Sequence, residues 1–576
     1  MILNLPKSWL VLSAFILSQI TTAATVYEDV STTVSVSDRN LATTSLDIDG
    51  DDNVRQTELD IQTQTGIPFH PRREKRLTES SMSPFLRKME YAVRGSVVIA
   101  ADKINDQLKE AAAWDSQSTK HEKKKKKQYP FDKIIYTNIG NPHSVGQKPL
   151  TWPRQVMALV DLPNEVGIDH PDAPNFFPLD AIERAREIKG KALSGHGSGA
   201  YSHSKGAKLF REDVCSFLQK RDGKEVPTDP ENIFLTNGAS AAISQVLQAL
   251  IADSSCGVMI PIPQYPIYSA TLDLLGGEKV GYYLDEENNW NLELQELERS
   301  YQQARKEGTN VVGFVLINPG NPTGSVLSKK AVQDVVRFCA RHNLVLLADE
   351  VYQENVYDER AEFYSAKRAA YDIGLLQNDG IELASFHSTS KGVFGECGRR
   401  GGYVELCGFD EKVKDHLYKL ASSSLCSSLN GQIMTSLMVR GPNPGDQSYE
   451  SHESEKAAVF DSLKRRASIV GDGLNSIPGF SCQPAQGAMY CFPSVMLPQQ
   501  AIDEALQKGL SPDTMYALSL LEQTGIVVVP ASGFGQKEGR YGFRTTFLPT
   551  EEEMAMSVDA IQQHHSDFWS RYTTDR

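Results

Sequence analysis

Three uninterrupted apolar runs constrain the fold of this chain most. They are "GVMIPIP" (257–263), "VVGFVLINPG" (311–320) and "LVLLADEVY" (344–352), each of strand length and each ending at turn residues or acids. Helical patterns lie before or between them, including "DAIERAREIKGKAL", "KLFREDVCSFLQKRDG" and "AAISQVLQALI". A strand without polar alternation is buried on both faces, and helices that alternate with such strands cover a mostly parallel sheet. The expected class is therefore α/β. The ligand site of such a sheet lies beyond the carboxyl ends of its strands.

The unusual residues fall at those ends. "NPGNPTG" follows one strand and presents the amide of Asn321. "ADEVYQ" ends another strand at Asp349, with Tyr352 three residues later. "NGAS" opens a helix at Gly238, Ala239 and Ser240, where free backbone N–H groups and a hydroxyl make an anion site. Lys391 lies in "SFHSTSKGVFGECGRRGG" (385–402), among hydroxyl residues, glycines and the pair Arg399 and Arg400. An acid that ends a buried strand, and a lysine set among small residues, point to partners rather than to solvent.

Other chemistry is excluded or left without support. The formal net charge of −14 argues against broad nucleic-acid binding. The five lysines at 123–127 read as a solvated loop. The eight cysteines form no C-x-x-C pair, and the histidines show no metal-ligand spacing. Cys397 lacks an evident base and reads as a structural thiol. His387 reads as a packing residue.

The N-terminus "MILNLPKSWLVLSAFILSQITTAAT" has the lysine, apolar run and small-residue end of a signal-like targeting segment over 1–24. It suggests secretory-route or plastid-type organellar delivery, with mitochondrial or cytoplasmic location as alternatives. No membrane span is expected once a leader is removed. Residues 25–77 are rich in Ser, Thr and Asp and are expected to be a disordered linker. The remaining division expected is an N-terminal arm and part of a small domain at 78–170, a large domain at 171–455, and the C-terminal small α+β domain at 456–576.

Eight ordered motifs carry a resemblance over about residues 80 to 576: "YTNIGNP…GQKPLT", "GAYSHSKG", "PIPQYPIYSATL", "INPGNPTG", "LLADEVYQENVY", "SFHSTSKG…GECGRRGGY", "QGAMYCFP" and "GFGQKEGRYGFRTTFLP". The chain resembles the fold-type I pyridoxal-phosphate aminotransferases, within them the alanine aminotransferase subfamily. The resemblance implies a large domain built on a seven-stranded-type sheet and a homodimer with shared active sites. It implies that pyridoxal 5'-phosphate is the cofactor and that amino acids and 2-oxo acids are the substrates. Lys391 would anchor the cofactor covalently and shuttle a proton. Asp349 would pair with the ring nitrogen, Asn321 and Tyr352 would bond the ring oxygen, and Tyr265 would stack on the ring.

Ala239, Ser240, Ser388, Ser390 and Arg400 would hold the phosphate, with Tyr201 reaching the neighbouring subunit's phosphate. Arg544 would clamp the substrate carboxylate beside Gly140 and Asn321. The chain departs from the family in carrying Arg399 where an aromatic is usual. The expected reaction is L-alanine plus 2-oxoglutarate to pyruvate plus L-glutamate. A glutamate:glyoxylate aminotransferase is the alternative, although the terminal "TTDR" is not a peroxisomal tripeptide. A cofactor-binding regulator would need a helix-turn-helix and a basic face, which the N-terminal extension does not offer.

Overall fold

A computed structural model describes residues 77–91, 95–117, 128–377 and 380–573. The signal-like segment, the 25–77 linker apart from Leu77, and the 123–127 lysines lie outside the described residues. The chain divides into two compact units, Met1–Ser81 and Met82–Arg576. In the first, Thr78 and Ser81 exchange hydrogen bonds. Everything below concerns the second.

Its centre is a seven-stranded sheet. The strands are β1 (Ile233–Thr236), β2 (Cys256–Ile262), β3 (Glu278–Tyr283), β4 (Asn310–Ile317), β5 (Val345–Asp349), β6 (Leu383–Ser388) and β7 (Gly402–Cys407). Their order across the sheet is β1-β7-β6-β5-β4-β2-β3. Only β7 runs against its neighbours, being antiparallel to both β1 and β6. The class expected from sequence is the class observed. Every residue of β5 is buried, which requires cover on both faces.

Alternation along the strands assigns the faces. Val345 and Leu347 join a core with the helix α1 (Ala239–Leu250) and Tyr268, whereas Leu346 and Ala348 join the opposite core with the helix Lys329–His342. Asp349 continues the first series. On β6, Ala384 and Phe386 pack toward α1, so His387 turns to the far face. There it stacks parallel to Phe217 and meets Tyr403 edge-on, with neither ring nitrogen bonded. Burial pushes its pKa down to about 3, which suits a packing histidine and not a base.

A separate core joins Val97–Ile104 side chains with residues from Leu463 to Phe568. Its strands are short. "GAMYCFPSV" and "GIVVVPASGFG" give only the pairs Tyr490–Cys491, Ser494–Val495, Ile526–Val527 and Val529–Pro530. Pro493 and Pro530 cannot donate to a ladder and cut these strands short. The strand Phe543–Thr546 lies between two of them, pairing Val529 with Arg544 and Tyr490 with Thr546.

The same core buries His564 and His565, whose pKa values burial lowers to about 4. Below pH 6.5 the unfolded chain binds protons that these folded histidines refuse, so stability falls as pH drops toward 4. Replacing both (His564→Leu, His565→Phe) is expected to flatten that acid limb. After screening, the difference in slope is about 2 kcal/mol per pH unit. Urea midpoints at pH 7, 6 and 5 measure it, and equal slopes for the two proteins would refute it.

Candidate active site

The parallel strands all release the chain at one edge of the sheet. Asp349 ends β5 there, Ser388 ends β6, and Asn318 follows β4. Because β7 is antiparallel, it begins at the same edge, with Gly402 opposite both Ser388 and Thr236. Arg400, just before it, is thereby delivered to the site. Gly402 cannot be larger. A Cβ there would stand 2.7 Å from the His387 carbonyl and 2.9 Å from Gly238 Cα. Gly402 thus serves strand-to-loop packing.

A cavity of about 250 Å³ opens at this edge. Asp349 is its buried acid. One carboxylate oxygen accepts the Tyr268 hydroxyl at 3.1 Å, while Oδ1 is buried without a partner. Burial pushes the carboxyl up to about 6, against the pull of the Tyr268 hydroxyl, the Val351 N–H and the Lys391 ammonium. Lys391 lines the same cavity, and its Nζ donates to the Gly140 carbonyl at 2.8 Å. A Cβ on Gly140 would lie 2.5 Å from that Nζ and 2.6 Å from the Tyr490 hydroxyl oxygen. Gly140→Ala is therefore expected to displace the amine and cut turnover by on the order of 10²-fold, the scale of a 1 Å misplacement. The melting temperature should change little. Turnover within threefold of the parent would refute this.

At the other end of the cavity, Gly238 turns with φ 80° into the first turn of α1, where Ala239 and Ser240 line the wall. Arg400, itself left-handed at φ 55°, donates from its guanidinium to the carbonyls of Asn237 and Cys397. Ser388 and Ser390 lie alongside. The two arginines diverge. Arg400 lines the cavity, while Arg399 approaches Glu396 at 3.8 Å, and Glu396 already accepts from Nε and Nη2 of Arg154. Cys397 donates to the Ser390 carbonyl, and burial raises its thiol pKa, in keeping with a structural role.

Arg544 closes the third side. It is 1% exposed, and its guanidinium donates to Asn321 Oδ1 at 3.1 Å and to the Asn138 carbonyl at 2.5 Å. It lies between the rings of Tyr490 and Phe534, at 4.4 and 4.8 Å. Its Nε is buried and unpartnered. Tyr265 and Tyr352 also line the cavity. Of the residues given a cofactor- or substrate-binding role from sequence, only Tyr201 does not. It stands 77% exposed on the surface.

Three tyrosines escaped the sequence reading. Tyr268 holds Asp349, Tyr91 meets the Tyr265 hydroxyl at 3.2 Å, and Tyr490 accepts the Tyr352 hydroxyl at 2.9 Å. Tyr268 and Tyr490 lie inside the quoted motifs "PIPQYPIYSATL" and "QGAMYCFP".

The cavity thus offers an amine, an unpaired buried carboxylate oxygen, an anion cradle and a second cationic fork. These fit a planar phosphorylated ring with a basic nitrogen: Asp349 would hold the nitrogen, and the first turn of α1 with Arg400 would hold the phosphate. Among the described residues, no cluster of three or more His, Cys, Asp or Glu side chains could hold a metal ion.

The family described as "Aminotransferase class I and II" matches residues 171–561. A relative from Dictyostelium discoideum, "Probable alanine aminotransferase, mitochondrial", is 45% identical over 87% of this chain and 90% of its own. An Arabidopsis thaliana relative, "Glutamate--glyoxylate aminotransferase 1", is 43% identical over 86% of this chain and 98% of its own. The solved alanine aminotransferase from Pyrococcus furiosus shares the fold at a TM-score of 0.63 and 22% identity, over 84% of this chain and 100% of its own.

Proposed function

Because the chain belongs to the class I and II aminotransferases, we propose that it moves the amino group of L-alanine to 2-oxoglutarate in a ping-pong reaction, giving pyruvate and L-glutamate. It is a pyridoxal-phosphate-dependent transaminase of fold-type I, as its relatives are. One observation carries the reading of the site: Lys391, the unpaired Asp349 oxygen and Arg544 line a single cavity.

When bound, pyridoxal phosphate supplies an electrophilic carbonyl and a ring that draws electrons from the bond being broken. The chain's own residues would do the rest. Arg544 would bind the substrate α-carboxylate through its fork and so orient the Cα–H bond. Lys391 would hold the cofactor, then take the Cα proton and return it. Asp349 would keep the ring nitrogen protonated. Asn321 and Tyr352 would bond the ring oxygen, and Tyr265 would cover the ring face. Ala239, Ser240, Ser388, Ser390 and Arg400 would hold the phosphate. Tyr201 would reach the cradle of a second copy, which accounts for an aromatic left 77% exposed.

The Arabidopsis relative supports a second reading, in which glyoxylate is the acceptor. The purified protein is expected to form pyruvate from alanine and 2-oxoglutarate. Glycine formed from glutamate and glyoxylate, without pyruvate from alanine, would establish the second reading instead. Relatives named as mitochondrial support the mitochondrial alternative over secretory-route or plastid-type delivery. Residues 1–77 fused to a fluorescent protein should then enter an organelle, and a diffuse cytoplasmic signal would refute this.

A further inference from the structure

In the proposed reaction the Lys391 amine must be neutral before it takes the Cα proton. A group beside it can hold the proton that the ammonium gives up, and the surroundings of the Lys391 side chain show where such a group stands. Its Nζ rests on the Gly140 carbonyl, and the hydroxyl of Tyr490 approaches the same point from the strand Tyr490–Cys491. A Cβ on Gly140 would lie 2.5 Å from the one and 2.6 Å from the other, so the two atoms stand no more than about 5 Å apart. On its far side the Tyr490 oxygen accepts the hydroxyl of Tyr352 at 2.9 Å. The Tyr490 ring meanwhile lies 4.4 Å under the guanidinium of Arg544.

We propose that Tyr490 is a further catalytic residue: its oxygen takes a proton from the Lys391 amine and gives it back, with Tyr352 as a fixed donor behind it. In the forward step an N–H bond of the ammonium breaks and the phenol O–H forms. The amine is left neutral, and the reverse step restores both groups. No outside acid or oxidant is needed.

The charges facing Tyr490 suit this exchange. Burial raises its pKa, but the Lys391 ammonium, the Arg544 guanidinium and the Tyr352 hydroxyl together outweigh burial, and the net shift is downward. Burial, and after it Tyr490, Tyr265 and Asp349 nearby, hold Tyr352 well above the ordinary tyrosine value. Of the two bonded phenols, Tyr490 is thus the one shifted toward the phenolate form. Tyr352 cannot substitute for it, since its own hydroxyl is spent on Tyr490.

Two variants separate the ring from the hydroxyl. Tyr490→Phe keeps the platform under Arg544 and removes only the oxygen, whereas Tyr490→Leu removes both. The first measurement is the ultraviolet titration of tyrosinate in the full-length chain without cofactor. One tyrosine is expected to ionise below the ordinary value of about 10, and Tyr490→Phe should abolish that transition. The second is steady-state kinetics of the cofactor-loaded protein with alanine. Tyr490→Phe is expected to lower kcat by at least about 10²-fold at unchanged KM and to displace the pH–rate profile. Tyr490→Leu should raise KM as well. An early tyrosinate that persists in Tyr490→Phe, or a Tyr490→Phe enzyme with parental kcat and pH profile, would overturn the proposal. The inference rests on the transaminase reading for its kinetics only. A parent that moves no amino group from alanine defeats the substrate assignment, while the titration still decides whether Tyr490 is the ionising group.

Discussion

Lys391→Ala is expected to abolish amino transfer, with turnover down by 10⁴-fold or more. Two losses combine. Positioned general acid–base catalysis alone contributes up to about 10⁴-fold, and the covalent hold on the cofactor disappears with the same amine. No other lysine can replace it, because among the described residues Lys391 is the only lysine that lines the cavity. Lys391→Arg should not rescue, since a guanidinium stays protonated and cannot serve as the base. The fold should survive both changes, so melting temperatures separate the chemical loss from unfolding. Borohydride treatment gives the direct readout. The parent should retain its cofactor through denaturation and dialysis, and Lys391→Ala should release it. Retention in the variant would show that another amine is the anchor.

The sequence revealed the residues that sit where the pattern changes. Asp349 ends a strand of pure apolar character, and Lys391 stands among small hydroxyl residues, so both stood out from the background. β3 did not stand out. It is an edge strand, "EKVGYY", with only Val280 and Tyr282 deeply buried, and no apolar run announces it. β7 was obscured differently. "GYVELC" carries Glu405, which reads as a surface residue, yet the structure buries it against Lys367 at 2.5 Å, with the two side chains 1% and 0% exposed. A charge paired across 38 residues leaves no local signal.

The same holds for the tyrosines of the site. Tyr268 reaches Asp349 from 81 positions away and Tyr490 reaches Tyr352 from 138. Such partners come from strand order, not from spacing. The divergence of Arg399 and Arg400 has this origin too, since it follows from the left-handed turn at Arg400 that feeds an antiparallel strand.

Asp349→Asn should move stability and activity in opposite directions. In the cofactor-free chain the Asp349 carboxyl is fully buried, with one oxygen unpartnered, and burial raises its pKa from 3.8 to about 6. A raised carboxyl disfavours the folded state wherever the group must ionise. The penalty is complete above pH 6 and fades as pH falls toward 3.8. A shift of about two pH units corresponds to about 3 kcal/mol. The amide carries no charge, and its oxygen can still accept the Tyr268 hydroxyl. Asp349→Asn should therefore stabilise the cofactor-free protein by up to about 3 kcal/mol at pH 7.5 and by almost nothing at pH 4, as read from urea midpoints.

The same change should cost activity. Removing a preorganised electrostatic partner from a closed site slows turnover by on the order of 10³-fold, equivalent to about 4 kcal/mol of barrier. The amide cannot hold the ring nitrogen protonated, whereas Asp349→Glu keeps the charge and should recover part of the rate. A variant that is less stable than its parent at pH 7.5 would show that Asp349 serves the fold. A variant that keeps its rate would show that the unpaired oxygen does not face the reacting ring.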